Sequence, residues 1–444
     1  MLFTALKTYD RSQFVKDVTA GIIVAIIALP LSIALALASG VGPEAGIFTA
    51  IVAGFVISAL GGSSVQIAGP TAAFATIVAG IVARDGMDGL VIATVLAGVF
   101  LILMGVFHFG SLIKFIPYTI TTGFTSGIAV TIVIGQLKDF FGVAYPEGVR
   151  PIETMEKLAA FLENIGTVNP AALIVGAVSL AILIISPYIF KKIPGSLIAV
   201  IVGILMVKFL PLKVSTIGNL YTISNALPSF HLPTVNFEIV QAAIPNAFTI
   251  AILAAIESLL SCVVADGMIN GKHRSDMELV AQGAGNIASA LFGGIPATGA
   301  IARTAANIKN GGRTPVAGMV HSITLVIVLV VLMPYAGMIP MPTIAAILFI
   351  VAYNMCQWRT FLQLVKTAPK SDILVLVVTF VLTVLFDLVV AIEIGMILAC
   401  LLFIKRMSEE TKAESWVYTD DDTVAVNENL RKLPAEIRVY EVSG

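Results

Sequence analysis

The stretch Gly293-Gly-Ile-Pro-Ala-Thr-Gly-Ala-Ile-Ala-Arg-Thr-Ala-Ala-Asn307 decides the fold, because it is an irregular segment inside a strongly apolar chain. Its glycines and proline interrupt the regular helix that a membrane span needs, and a short helix of small residues follows, with Arg303 in its first turns. At membrane depth such a break is tolerated only where protein or a water-filled cavity satisfies the free backbone groups. The first N–H groups of a half-helix are unpaired and carry about half a positive charge. Together with an arginine they predict an anion site.

The composition indicates a polytopic membrane protein. The chain has 444 residues, of which 58% are hydrophobic and 12% are charged, and its mean hydropathy is +0.99. The net charge of −1 does not indicate nucleic-acid binding. The three cysteines lie far apart in apolar segments and the four histidines have no metal-ligand spacing, so we predict no disulfide framework, no metal and no cofactor.

Fourteen apolar segments of bilayer length predict an all-α polytopic fold. They cover residues 18–39, 44–60, 69–84, 88–107, 116–138, 169–189, 193–211, 239–264, 278–292, 299–310, 314–333, 341–356, 371–387 and 389–405. The third and tenth are short and interrupted. With the N-terminus inside, thirteen lysines and arginines fall on cytoplasmic loops against six outside. The positive-inside rule therefore places both termini in the cytoplasm.

An internal repeat joins the two interrupted segments. The sequence of residues Ala53–Leu60, AGFVISAL, returns at Ala284–Leu291 as AGNIASAL, and each copy is followed by Gly-Gly and then by Thr-Ala-Ala. Seven segments separate the copies, and an odd number inverts the second copy in the membrane. The pattern predicts a 7+7 inverted-topology repeat, with the binding site of a transporter at the two interruptions.

The chain divides into three regions. Residues 1–17 are predicted to be a cytoplasmic N-terminus, residues 18–406 a transmembrane transport domain, and residues 407–444 a cytoplasmic tail. Amphipathic helices are predicted at 153–164, outside, and at 357–367, along the inner interface with membrane lipid. The alternating residues Glu436–Gly444 are typical of a strand, and we expect the first strand of a truncated soluble domain.

Arg303 is the main candidate for anion binding. We expect it to face a substrate anion between two half-helix N-termini, where Ala302 and Thr304 of the tenth segment meet Gly69, Thr71 and Ala72 of the third segment. The list of expected substrate-binding residues is therefore Gly69, Thr71, Ala72, Ala302, Arg303 and Thr304. The alternative is a structural salt bridge between Arg303 and Glu257.

Glu257 lies in the middle of the eighth segment, where an ionised side chain costs roughly 2.5–3.5 kcal/mol even on the mildest scale. One interpretation is a coupling carboxylate that is loaded by H⁺ or Na⁺. Ser261 follows one helical turn later and could share that ion. The other interpretation is a fixed partner of Arg303.

Six motifs carry a resemblance to a known family. They are Asp17–Gly21, Ala28–Ser32, Ala68–Ala72, Gly123–Gly127, Ile256–Leu260 and Ala302–Ala305. With them, the chain resembles the SulP (sulfate permease) anion transporters. The resemblance implies the uracil-permease fold, with segments 1–4 and 8–11 as a core and segments 5–7 and 12–14 as a gate. It also implies a homodimer, a STAS domain in the tail, Arg303 as the anion-contacting arginine and Glu257 as the coupling carboxylate.

We therefore expect a secondary anion transporter of a bacterial inner membrane, with elevator-like movement of core against gate. Leu31 and Leu35 replace a glutamine and a tyrosine of eukaryotic sulfate transporters, so bicarbonate, chloride and a C4-dicarboxylate stay open beside sulfate. Further alternatives are a Na⁺-coupled bicarbonate symporter, an anion exchanger, an anion channel or voltage-responsive motor, and a nucleobase symporter of the same fold. An enzyme is not expected, because no pairing of nucleophile and base is apparent.

Overall fold

The computed structural model describes residues 1–6, 9–111, 118–146, 148–149, 151–190, 194–210, 212–234 and 236–386, seven positions between 394 and 404, and residues 412–416 and 439–443. Most of the predicted fourteenth segment, 389–405, and most of the predicted tail lie outside these residues.

The described chain is built almost entirely of helices. They are α1 (Leu2–Leu6), α2 (Arg11–Ala38), α3 (Pro43–Leu60), α4 (Ala72–Val106), α5 (Tyr118–Phe141), α6 (Thr154–Glu163), α7 (Pro170–Ile189), α8 (Gly195–Phe209), α9 (Ile217–Leu220), α10 (Phe237–Ile269), α11 (Ser275–Leu291), α12 (Ile301–Lys309), α13 (Pro315–Ala336), α14 (Met341–Cys356), α15 (Trp358–Thr367) and α16 (Lys370–Leu385). Within the described residues, eight helices are long and apolar enough to cross a membrane. The count of fourteen crossings stays a prediction.

The third and fourth predicted segments are two helices that join directly at a kink, and α4 denotes the whole run. The helix is broken at Gly86, whose φ of 70° and ψ of −168° are not helical. Glycine adopts this conformation without the Cβ clash of other residues. The break lies between the predicted boundaries 84 and 88, so a sharp kink replaces the predicted loop.

Two short strands precede the half-helices. Strand β1 (Ala68–Gly69) pairs with β2 (Thr298–Gly299) in antiparallel register, with Ala68 opposite Gly299 and Gly69 opposite Thr298. The interrupted helices begin slightly after the predicted positions 69 and 299, with α4 starting at Ala72 and α12 at Ile301, because the strands take up the first residues of both segments. Paired strands lie about 5 Å apart. The two helix N-termini are thus held on either side of one small ladder.

The helices pack in two groups. In the first, α4 packs on α10 and α11, and α3 and α2 pack on α13. In the second, α5 packs on α14 and α16, and α7 packs on α8 and α14. Small residues allow close approach: a Cβ on Gly98 would lie only 2.7 Å from the Gly283 carbonyl oxygen. The ladder of β1 and β2 belongs to the first group.

The described tail contains a strand pair rather than a single strand. Strand β3 (Lys412–Trp416) pairs in antiparallel register with β4 (Val439–Ser443), which falls inside the predicted strand 436–444. The expectation that this strand comes first is wrong, because β3 precedes it. Residues 412–416 read KAESW and lack clear alternation, which is why the sequence did not indicate β3.

Candidate functional site

Both half-helices begin without a side-chain cap. Thr71 precedes α4 and Ala300 precedes α12, and neither side chain accepts a hydrogen bond from the first turn of its helix. Several other helices are capped in the ordinary way, by Asp10 for α2, Asn169 for α7, Asn236 for α10 and Thr314 for α13. The first N–H groups of α4 and α12 therefore have no side-chain acceptor and can serve a ligand.

Arg303 lies inside the protein and not against lipid. Its side chain is 1% exposed, and Nη2 donates to the Pro70 carbonyl oxygen at 3.1 Å and to Ser32 Oγ at 3.3 Å. Nε and Nη1 have no hydrogen-bond partner. No carboxylate among the described residues contacts the guanidinium, so the alternative salt bridge to Glu257 is not formed in this structure.

Glycines in the ladder make room for polar side chains. A Cβ on Gly69 would overlap Nη1 of Arg303, and a Cβ on Gly299 would overlap the side-chain amide of Gln66. The side chain of Arg303, which follows β2, crosses Gly69 of β1. The side chain of Gln66, which precedes β1, crosses Gly299 of β2. This arrangement explains why both strands need glycine without invoking an unusual φ angle.

The structure brings Glu257 to the start of α4. Thr71 Oγ1 donates to Glu257 Oε2 at 2.9 Å, and Glu257 is half-buried on α10. The Thr71 hydroxyl, at the N-cap position of α4, therefore bonds to the Glu257 carboxylate and does not cap the helix. Two residues that the sequence assigned to different tasks, substrate binding and ion coupling, are directly linked.

Thr304 and Ser261 form a second link. Ser261 Oγ donates to Thr304 Oγ1 at 3.4 Å, and the Ile67 backbone N–H donates to the same oxygen at 3.0 Å. Both side chains are buried. The Thr304 hydroxyl therefore joins α12 to α10 and to the residue before β1, whereas Ala302 in the first turn of α12 is exposed.

Glu278 of α11 positions the approach to β1, a role that the sequence did not indicate. It is fully buried, and its carboxylate accepts hydrogen bonds from the backbone N–H groups of Gly62 at 2.9 Å and Ser63 at 3.1 Å. It also accepts from Gln66 Nε2 at 2.8 Å and Gln282 Nε2 at 2.9 Å. Four donors compensate for the burial of the carboxylate. Glu278 fixes the loop that leads into β1.

Asn286, two helical turns later on α11, holds the other loop. Its Oδ1 accepts from the Ala297 N–H at 2.8 Å, and its Nδ2 donates to the Ala297 carbonyl oxygen at 2.9 Å. One face of α11 therefore positions the approach to both half-helices. The available signal was the spacing of Glu278, Gln282 and Asn286 at four-residue intervals, which places three polar side chains on one face of a predicted span.

Interrupted helices that meet at their N-termini are typical of many transporter folds. The chain belongs to the sulfate permease family, whose sequence pattern matches residues 14–379. Its apolar helices and its bacterial transporter relatives show that it is an integral bacterial membrane protein. Its family consists of transporters and not of enzymes.

One similar protein is YvdB of Bacillus subtilis, which is named "Putative sulfate transporter YvdB". It is 43% identical over 412 residues, which cover 91% of this chain and 76% of YvdB. The bicarbonate transporter BicA of Picosynechococcus is 34% identical, over 95% of this chain and 75% of BicA. The chain thus spans about three quarters of both relatives.

Solved structures share the fold. The transmembrane domain of a cyanobacterial bicarbonate transporter BicA superposes with a TM-score of 0.77 at 30% identity, over 88% of this chain and 98% of that domain. The murine Slc26a9 anion transporter in its inward-facing state superposes with a TM-score of 0.85 over 96% of this chain and 74% of that chain. At 20% identity, this second match shows the fold alone.

Proposed function

We propose that the chain is a secondary active transporter of a small anion, such as sulfate, bicarbonate or chloride, that binds between the N-termini of α4 and α12. The observation that carries the proposal is the meeting of two uncapped helix N-termini on one ladder, beside the buried charge of Arg303. Backbone N–H groups of Ala72 and Ala302 are the direct donors. Arg303 contributes its charge and its two unpartnered donor nitrogens.

Within this proposal, Thr304 and Gly69 position the site more than they touch the anion. The Thr304 hydroxyl is already bonded to its neighbours, and Gly69 lies under the Arg303 guanidinium. Thr71 connects the anion site to Glu257. An anion at the start of α4 therefore changes the electrostatic environment of the coupling carboxylate directly.

Coupling is assigned to Glu257, with H⁺ as the first candidate ion. The carboxylate is half-buried, has one hydroxyl donor and has no cationic partner among the described residues. Protonation removes the cost of a charge in a low-dielectric environment. Sodium is the second candidate, because the hydroxyl of Ser261 lies one turn away on the same helix and could share an ion with Glu257.

The architecture proposed for transport is fourteen spans in two inverted repeats of seven, with an elevator-like movement of core against gate. The antiparallel pairing of β1 with β2 supports an inverted relationship between the two interrupted segments. The separation of the helices into two packing groups supports a core and a gate. Cytoplasmic termini, a homodimer and a STAS domain in the tail belong to the same proposal.

Uptake into proteoliposomes tests the function. Sulfate, bicarbonate, chloride and fumarate are offered separately, each under an imposed pH gradient and, separately, an imposed Na⁺ gradient. We expect saturable accumulation of at least one anion that is driven by one of the two gradients. Accumulation of fumarate alone would identify a C4-dicarboxylate symporter, and an unsaturable current without accumulation would identify a channel and contradict the proposal.

A further inference from the structure

Asp17, in the second turn of α2, is a buried carboxylate to which the proposed anion site gives no task. The residue is 0% exposed. Its Oδ1 accepts from Gln13 Nε2 at 2.9 Å, and its Oδ2 accepts from the Tyr9 hydroxyl at 3.0 Å. Hydrogen bonds to a buried carboxylate are strong and directional, so they fix the groups that donate to it.

The other hydrogen bonds of Asp17 reach the turn that follows α12. The Arg313 backbone N–H donates to Oδ1 at 2.9 Å, and the Thr314 hydroxyl donates to Oδ2 at 2.5 Å. Gln13 Nε2 also donates to the Gly311 carbonyl oxygen at 3.0 Å. The first two turns of α2 therefore hold the turn that joins α12 to α13.

This turn is in turn bonded to the end of α12. Arg313 Nη1 donates to the carbonyl oxygens of Ile308 at 2.9 Å and Gly312 at 2.8 Å. Ile308 belongs to the last turn of α12, where carbonyl groups lack a partner in the regular helix pattern and a cation is favourable. A displacement of the turn would therefore move the C-terminal end of α12.

Helix α2 also contacts the other end of α12. Arg303, in the first turn of α12, donates from Nη2 to Ser32 Oγ of α2, and α2 packs along both α12 and α13. Helix α12 has nine residues, so it is only about 13 Å long. Because a short helix moves as a rigid body, a shift at its C-terminal end is transmitted to Arg303.

We propose that Asp17 is a positioning residue for the anion site, which fixes α12 against α2 so that Arg303 lies beside Ser32 and the helix N-termini. The inference rests on the proposed anion-transport function. Asp17 does not touch the anion but acts through the turn and the half-helix. Without Asp17, α12 keeps its contacts to the segment before β1 through Thr304 and Asn307, and it loses its attachment to α2 at the far end.

Two substitutions of Asp17 test how it acts, with binding of sulfate, bicarbonate and chloride measured by calorimetry on purified protein. Asp17→Ala should weaken anion binding about tenfold, because Arg303 leaves its position. Asp17→Asn should lose at most about threefold, since its amide oxygen can accept from the Arg313 N–H and its NH₂ group can donate to the hydroxyls of Tyr9 and Thr314. An equal loss in both variants would show that the charge acts directly and would overturn the positioning role.

Gln13→Ala is a milder variant at a half-buried position near the start of α2. It removes the hydrogen bonds to Asp17 and to the Gly311 carbonyl oxygen and should weaken anion binding about threefold. Ser12→Ala, at the neighbouring exposed position, is the matched control and should bind as the wild type does. If Asp17→Ala does not fold, Gln13→Ala decides, because wild-type affinity in this variant would overturn the inference.

A double-mutant cycle separates positioning from a general loss of stability. Ser32→Ala removes the contact of α2 with Arg303, so the loss of affinity caused by Asp17→Ala should be smaller in the Ser32→Ala background than in the wild type. Losses of affinity that simply add would contradict a common action of the two residues on Arg303.

Hydrogen exchange without any anion gives a measurement that does not depend on the ligand. In Asp17→Ala, the amides of α12 should exchange faster than in the wild type and in Asp17→Asn, whereas those of α7, in the other packing group, should be unchanged. Unchanged exchange of α12, or an equal increase in both helices, would overturn the inference. Wild-type protein that binds none of the three anions would instead refute the proposed function, and the exchange of α12 would then decide the positioning role independently.

Discussion

Gly69 lies directly against the guanidinium of Arg303, and a side chain at this position would overlap Nη1. The two residues come from the two interrupted segments, which are far apart in the sequence and meet through β1 and β2. The position of the charge beside the helix N-termini thus depends on the absence of a side chain on the opposite strand. This dependence leads to the first prediction.

Gly69→Ala should displace the Arg303 guanidinium and weaken anion binding about tenfold or more, because the added methyl group takes the space of Nη1 and hydrogen bonds to charged groups contribute roughly 1.5–3 kcal/mol. Binding is measured by calorimetry on purified protein. Gly135→Ala is the control, since a Cβ there meets no atom within 4 Å. Equal affinities of the two variants would show that Gly69 does not set the position of Arg303.

Arg303→Ala should abolish detectable anion binding without unfolding the protein, because the buried positive charge is removed from the site. Size-exclusion profiles and thermal unfolding check the fold, and calorimetry checks binding. Arg303→Lys should restore weak binding, since it keeps the charge but loses the planar set of donors. Wild-type affinity in Arg303→Ala would remove this residue from the anion site.

Glu257→Gln should stop uphill accumulation but preserve anion binding. The amide imitates a permanently protonated carboxylate and can still accept a hydrogen bond from Thr71 Oγ1. Proteoliposome uptake with and without an imposed pH or Na⁺ gradient measures the effect. An unchanged response to the gradient would mean that another residue carries the coupling ion.

Glu278→Gln should lower the stability of the folded protein by roughly 2–4 kcal/mol, because the amide can accept fewer of the four hydrogen bonds that the carboxylate receives. The shift is measured as a lower thermal midpoint in detergent. Glu238→Gln, at an exposed position in the first turn of α10, should leave the midpoint within experimental scatter. A midpoint for Glu278→Gln as high as that of this control would contradict the role of α11.

The sequence was sufficient to predict most helices and both interruptions. Long apolar runs with glycine and proline at their ends specify helices such as α3 and α13, and the amphipathic helices α6 and α15 also fall at their predicted positions in the sequence. Arg303 and Glu257 stand out because charged residues are rare in apolar segments. The family resemblance was confirmed by the match over residues 14–379.

Sequence reasoning did not predict the ladder or the polar contacts around it. A strand of two residues has no periodicity, so neither β1 nor β2 gives a signal, and their pairing depends on the packing of distant helices. Ser32 reaches Arg303 only because α2 passes beside the ladder. Glu278 was placed at the start of a span, and only its contacts with Gly62, Ser63 and Gln66 reveal its task.

The position of a bound heavy anion tests the central claim most directly. Crystals grown with selenate and, in parallel, with bromide give anomalous difference maps that locate each anion. We predict a peak within hydrogen-bond distance of backbone N–H groups at the start of both α4 and α12, close to Arg303. Ordered peaks only at other places in both maps would contradict the claim that the two half-helices form the anion site.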